Sequence, residues 1–169
     1  MKTVFEGKRL LVLENDDWQY VERRKGKSAV AVIAETDDGK VILTEQFRKP
    51  LNARVIDYPA GLVGDEEGKD DPATAARKEL EEETGYTCES VELLAGGPTS
   101  AGITSEIVRF YRARGVTKKG EGGGVGREKI AVHLVALGEL PEWLEAKEKG
   151  RILIDLKLWG GLYFLTQKA

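Results

Sequence analysis

The chain holds one cysteine, one histidine and one methionine among 169 residues, and only five prolines. Its single thiol, Cys88, excludes an internal disulfide, fits a reducing compartment and sits in no motif of a nucleophile, so it reads as structural. The sole histidine, His133, falls between Val132 and Leu134 of an apolar stretch, the setting of a packed imidazole more than of a catalytic one. No apolar run approaches the roughly 18 residues that cross a bilayer, and the opening MKTVFEGKRL has no apolar signal core. The expected location is cytoplasmic, away from membranes. No basic block stands out either. With 26 Lys and Arg against 29 Asp and Glu the net charge is -3, which argues against a nucleic-acid surface. A phosphate pocket, needing only a few local cations, remains open.

What is present suits a packed globular protein: 41% hydrophobic and 33% charged residues, in a length that fits one domain over 1–169. Repeats and linkers are lacking. The organising stretch is DPATAARKELEEETGY, Asp71 to Tyr86. Asp71 can cap a helix, Pro72 suits the first helical position, and Gly85 can take the left-handed turn that ends it. At helical spacing Ala73, Ala76 and Leu80 form an apolar stripe, with Glu79, Glu82 and Glu83 along its edge. Like charges at i,i+4 cost about 0.2–0.5 kcal/mol, and acids near a helix C-terminus oppose its dipole. A structural helix gains nothing from them. Clustered carboxylate oxygens suit a hard divalent cation; a solvated acidic face is the alternative at this point.

Around this helix, β-branched and apolar residues alternate between turn formers. Thr3 to Glu14 and Trp18 to Arg24 read as strands about the turn at Asn15, Asp16 and Asp17. Ala29 to Glu35 and Val41 to Phe47 flank the hairpin signal Asp38-Gly39. Ser90 to Leu94, Glu106 to Arg112 and Ile130 to Leu137 read as further strands, and Pro141 to Lys149 and Asp155 to Gln167 as helices. Gly115 to Lys129 is rich enough in glycine to be read as a mobile loop, either a lid or a plain hairpin tip.

The stretch from Gly61 to Tyr86, GLVGDEEGKDDPATAARKELEEETGY, resembles the Nudix box of diphosphate hydrolases, with its Arg-Glu-Leu-x-Glu-Glu-x-Gly core. Here the core runs from Lys78 to Gly85. Lys78 stands at the arginine, a change that loses the planar guanidinium fork, and Asp70 stands at an acidic position usually held by Glu. The segment ahead of the helix is also longer than the usual box. Gln46-Phe47-Arg48 and Tyr58-Pro59-Ala60-Gly61-Leu62 are similar to segments of the ADP-ribose pyrophosphatase group, in which an acid precedes Pro-Ala-Gly; here it is Asp57 in place of Glu.

The resemblance implies an α/β Nudix fold: an α/β/α sandwich with a mixed central sheet, plus an N-terminal antiparallel sheet over 1–28 that contributes to a homodimer. It further implies hydrolysis of a nucleoside-diphosphate sugar, ADP-ribose favoured, giving AMP and ribose 5-phosphate. GDP-mannose or UDP-glucose type substrates, or a non-catalytic nucleotide-binding module, are the alternatives. Mg2+, or Mn2+ in its place, would be held by Glu79, Glu82, Glu83 and the Ala60 carbonyl. Glu82 and Glu83 are the implied catalytic acids and Glu128 the implied base, fitting better than Glu121. The substrate contacts carried over are Gln46 and Arg48, Trp18 and Arg23 from a Trp-x-x-x-x-Arg segment, and Ala101, Gly102 and Glu106 from a Ser-Pro-Gly-x-x-x-Glu element. Ala101 occupies the proline position that marks ADP-ribose preference in that group.

Overall fold

The structure is a computed structural model that describes residues 1–26, 28–64, 71–126 and 128–167. Strands β1 (Lys2–Glu6), β2 (Leu10–Asn15) and β3 (Trp18–Arg23) form an antiparallel sheet. The single strand expected over Thr3 to Glu14 is therefore two. Gly7 N–H bonds the Leu10 carbonyl at 2.8 Å and closes a turn that folds β1 back onto β2.

The remaining strands are β4 (Ser28–Ile33), β5 (Lys40–Arg48), β6 (Ala53–Asp57), β7 (Ala60–Val63), β8 (Tyr86–Thr87), β9 (Ser90–Pro98), β10 (Ile107–Arg114), β11 (Thr117–Lys118), β12 (Ile130–Ala136) and β13 (Leu153–Ile154). They make sheets of order β7-β4-β10-β9 and β12-β5-β6-β13, with β11 and β8 paired separately. The β4–β10 and β6–β13 pairs are parallel and the rest antiparallel, so both larger sheets are mixed. Strand β9 runs past Leu94, where the expected strand ends, through Gly96 and Gly97. Its pairing with β10 carries as far as Pro98 opposite Ile107, and an edge strand tolerates proline.

Helices α1 (Pro72–Thr84), α2 (Leu140–Lys149) and α3 (Leu156–Thr166) complete the fold. Alternation along β4 decides the layering. Val30, Val32 and Ala34 join Ala75, Ala76 and Leu80 of α1 in one core cluster. Ala31 and Ile33 join Leu140 and Leu144 of α2 and Leu158 and Leu165 of α3 in the other. The result is the α/β/α sandwich, with side chains on both faces of the central strands fully buried. Among the described residues no helix is long and apolar enough to cross a membrane. Asp70 lies outside the described residues.

Candidate active site

Helix α1 begins and ends as its sequence dictates. The Asp71 carboxylate accepts from Ala73 N–H at 2.9 Å and Thr74 N–H at 3.1 Å, and Gly85 takes φ 71° at the C-cap. The buried Ala75, Ala76 and Leu80 set which face of the helix meets the sheet. The Glu83 carboxylate is buried and accepts Ala60 N–H at 3.0 Å. The Glu79 carboxylate fills the space beside Gly61: a Cβ there would lie 1.8 Å from its Oε1. Glycine at that position leaves room for the Glu79 carboxylate against the strand.

Burial pushes Glu83 up to about 8; Ala60 N–H and Arg48 oppose the rise, while Glu79 and Glu128 add to it. A carboxyl held so far above its ordinary range beside other acids fits a cation site, since a divalent ion would supply the missing charge. Among the described residues no three acidic, histidine or cysteine side chains form a ready metal cage. The pair Glu79 and Glu83 with the β7 backbone is the nucleus of one. Glu82 lies apart from them, half-buried, 3.8 Å from Lys78 Nζ and off the cleft lining. Lys78 at the arginine position thus pairs with Glu82.

These groups open into a cleft of about 1240 Å³ walled by both larger sheets. Gln46, Arg48, Ala60, Glu79, Glu83 and Glu128 line it together, as do Arg23 and Glu106. Glu128 owes its place to the segment between β11 and β12. The expectation of a mobile loop is corrected here, because that segment is docked on the end of α1. Gly123 N–H bonds the Glu83 carbonyl at 2.8 Å, Gly124 N–H bonds the Glu82 carbonyl at 3.0 Å, and Lys119 and Gly120 N–H groups both reach the Gly85 carbonyl. They satisfy carbonyls that a helix end leaves open. Glycine here permits backbone-to-backbone approach: a Cβ on Gly122 would meet the Thr84 backbone at 2.3 Å. The Glu128 carboxylate in turn accepts Val125 N–H at 3.0 Å, while Glu121 is exposed and off the cleft lining.

At the other end of the cleft Arg23 Nε is bonded to the Glu106 carboxylate. The turn carrying Ala101 and Gly102 docks on β3, where Val21 N–H bonds the Ile103 carbonyl at 2.8 Å; both residues are exposed and neither lines the cleft. Trp18, 59% exposed at the β2–β3 turn, also stands off the cleft of its own chain. His133 bonds Glu45 at 2.9 Å and packs edge-on against Trp143, so it is a structural histidine. Burial alone would raise Glu45, yet hydrogen bonds from Arg54, Lys147 and His133 hold it at about 2.

Sequence reasoning missed Arg9, Asp155 and Lys157 in the cleft wall. Asp57 was noted only as an acid ahead of Pro-Ala-Gly; it is buried and bonded to Lys157. No motif marks Lys157, which reaches the cleft only because β13 pairs with β6.

A family model described as NUDIX domain matches residues 25–156. The chain belongs to the Nudix family, and the class of protein this defines is a Nudix diphosphate hydrolase. Among its relatives is the "Methanol dehydrogenase activator" of Bacillus methanolicus, 38% identical over 98% of this chain and 90% of that protein. The "ADP-ribose pyrophosphatase" of Bacillus subtilis (strain 168) is 44% identical over 53% of this chain, and the chain spans 46% of its length. The "GDP-mannose pyrophosphatase" of Cronobacter sakazakii is 32% identical over 75% of this chain and 65% of its own. A crystal structure titled "ADP compounds hydrolase" superposes with TM-score 0.73 at 17% identity, covering 97% of this chain and 88% of that one, a likeness of fold.

Proposed function

We propose that the protein is a Mg2+-dependent pyrophosphatase of nucleoside-diphosphate sugars, with ADP-ribose the favoured substrate and AMP and ribose 5-phosphate the products. The observation that carries this reading is the convergence of Glu79, Glu83, Ala60 and Arg48 on one cleft, with Glu83 buried and short of positive charge. Glu79, Glu83 and the Ala60 carbonyl would hold the ion, with Glu82 a further ligand after a side-chain rotation. When bound, Mg2+ neutralises diphosphate charge and makes water a better nucleophile.

The chain's own residues do the rest. Arg48 offers a guanidinium fork to phosphate oxygens, and Gln46 beside it donates an amide. Glu128 takes the proton of the attacking water as the P–O bond to the leaving phosphate breaks in line. Arg23, oriented by Glu106, faces the nucleoside. The choice of ADP-ribose rests on the similarity to ADP-ribose pyrophosphatases; the similarity to GDP-mannose pyrophosphatases makes that sugar nucleotide the runner-up. Turnover of ADP-ribose, GDP-mannose and UDP-glucose compared at equal enzyme tests the choice, and failure to prefer ADP-ribose overturns it.

We further propose a cytoplasmic homodimer paired through the β1–β3 sheet. Val4, Phe5, Leu10 and Trp18 are exposed there, and Trp18 would reach the partner's cleft instead of its own. Light scattering tests it, a monomer being the contrary result. A second reading, activation of an alcohol dehydrogenase, is favoured by the similarity over 98% of the chain to the methanol dehydrogenase activator. Adding the protein to such an enzyme with its cofactor and Mg2+ tests it through the dehydrogenase rate.

A further inference from the structure

The cluster of buried Asp57 with half-buried Lys157 and Asp155 is unused in the mechanism above. Lys157 Nζ lies 2.8 Å from Asp57 Oδ2 and 2.7 Å from Asp155 Oδ2. Asp57 Oδ1 accepts Tyr58 N–H at 2.9 Å, and Asp155 Oδ1 accepts Lys157 N–H at 2.9 Å, so both carboxylates are fixed by backbone. All three residues line the cleft. Burial works against the Lys157 charge, but Asp57 and Asp155 hold its pKa above the ordinary lysine value.

Their placement follows from strand register. Gln46 pairs with Val55 and Thr44 with Asp57, so Gln46, Arg48 and Asp57 emerge from one face of neighbouring strands. Diagonal neighbours on such a pair lie about 7–8 Å apart, which is about the length of a sugar ring with its linking phosphate oxygen. Leu153 pairs with Val55 in the next strand, bringing Asp155 beside Asp57. By that register the cluster stands about one sugar from Gln46, with Arg48, opposite Ala53, two residues further along its strand.

Its chemistry selects among ligands. An ammonium between two ionised carboxylates carries a net charge of about -1, which repels phosphate. A hydroxyl both donates and accepts, and a row of acceptor, donor, acceptor matches neighbouring hydroxyls. Among the described residues two carboxylates engage the ammonium, leaving one of its N–H groups for a ligand. Leu153 and Leu156, exposed at 44% and 82%, flank the cluster on the cleft wall and offer apolar surface to the C–H edges of a ring. We propose that Asp57, Lys157 and Asp155 form a hydroxyl-reading subsite for the sugar beyond the diphosphate, and so determine specificity. The inference rests on the reading of the protein as a nucleotide-sugar pyrophosphatase.

The test compares ADP-ribose with a P2-alkyl ester of ADP, which keeps nucleoside and diphosphate diester but has no sugar hydroxyls beyond them. Lys157→Met is expected to lower kcat/KM for ADP-ribose about ten- to a hundredfold, chiefly through KM, and to leave the alkyl ester within about twofold. Asp155→Asn keeps an N-cap acceptor and should fold even if Lys157→Met does not; it is expected to show a smaller loss, again on ADP-ribose alone. Equal losses on both substrates, or no loss on either in folded protein, would overturn the proposal. Wild-type protein that cleaves neither compound nor any other nucleotide sugar would overturn the parent reading, and the subsite with it.

Discussion

The Glu83 carboxylate accepts the Ala60 N–H at 3.0 Å, tying the last turn of α1 to the start of β7 in the cleft wall. Through this one bond the most buried acid of the helix is held against the backbone assigned to the metal. It also makes Glu83 the most informative residue to change.

Replacing Glu83 with Gln keeps an oxygen for the Ala60 N–H while removing the charge. The variant should fold, and its Mg2+-dependent turnover should fall on the order of 10²-fold or more. Steady-state rates beside a thermal melt check this; a non-catalytic nucleotide-binding module would have no such turnover to lose.

The same group sets a pH dependence. Glu83 titrates at about 8 in the fold against 4.5 ordinarily, burial being the main cause. A raised carboxyl favours the fold while protonated, so its contribution is complete below about 4.5 and is lost as pH rises through about 8. Protein held in chelator should therefore lose stability across that window, on the order of a few kcal/mol. Denaturant melts at several pH values measure it, and Glu83→Gln should flatten the curve.

Gly61→Ala places a methyl where the Glu79 carboxylate lies, 1.8 Å from Oε1. Glu79 must turn away, so the Mg2+ concentration giving half-maximal rate should rise about tenfold or more. A metal titration of the rate reads it; an unchanged midpoint would remove Glu79 from the ligand set.

Much of this was legible in the chain. The helix limits followed from Asp71, Pro72 and Gly85, because capping is local chemistry that sequence displays directly. The stripe of Ala76 and Leu80 and its acidic margin followed from periodicity. Residues brought in by long-range pairing were not legible. Lys157 enters the cleft through the β13–β6 register, about 100 residues from Asp57, and no local signal marks such a partner. The glycine segment misled for the opposite reason: composition that signals mobility also permits backbone amides to dock on helix carbonyls.

That docking has its own test. Gly122 has φ 72° and its Cβ would strike the Thr84 backbone, whereas Gly126 has φ 69° with open space around it. Gly126→Ala should cost only the left-handed penalty, about 1–2 kcal/mol. Gly122→Ala should cost more and also lower kcat, since Glu128 is carried on the displaced segment. Equal melts and equal rates for the two variants would show that the segment is not packed against α1.

The most direct test of the whole account is turnover of ADP-ribose with and without Mg2+, with the products separated. AMP and ribose 5-phosphate are expected in equal amounts, formed only with the metal. Equal turnover in chelator, or no cleavage of ADP-ribose or any other nucleotide sugar in Mg2+, would contradict it.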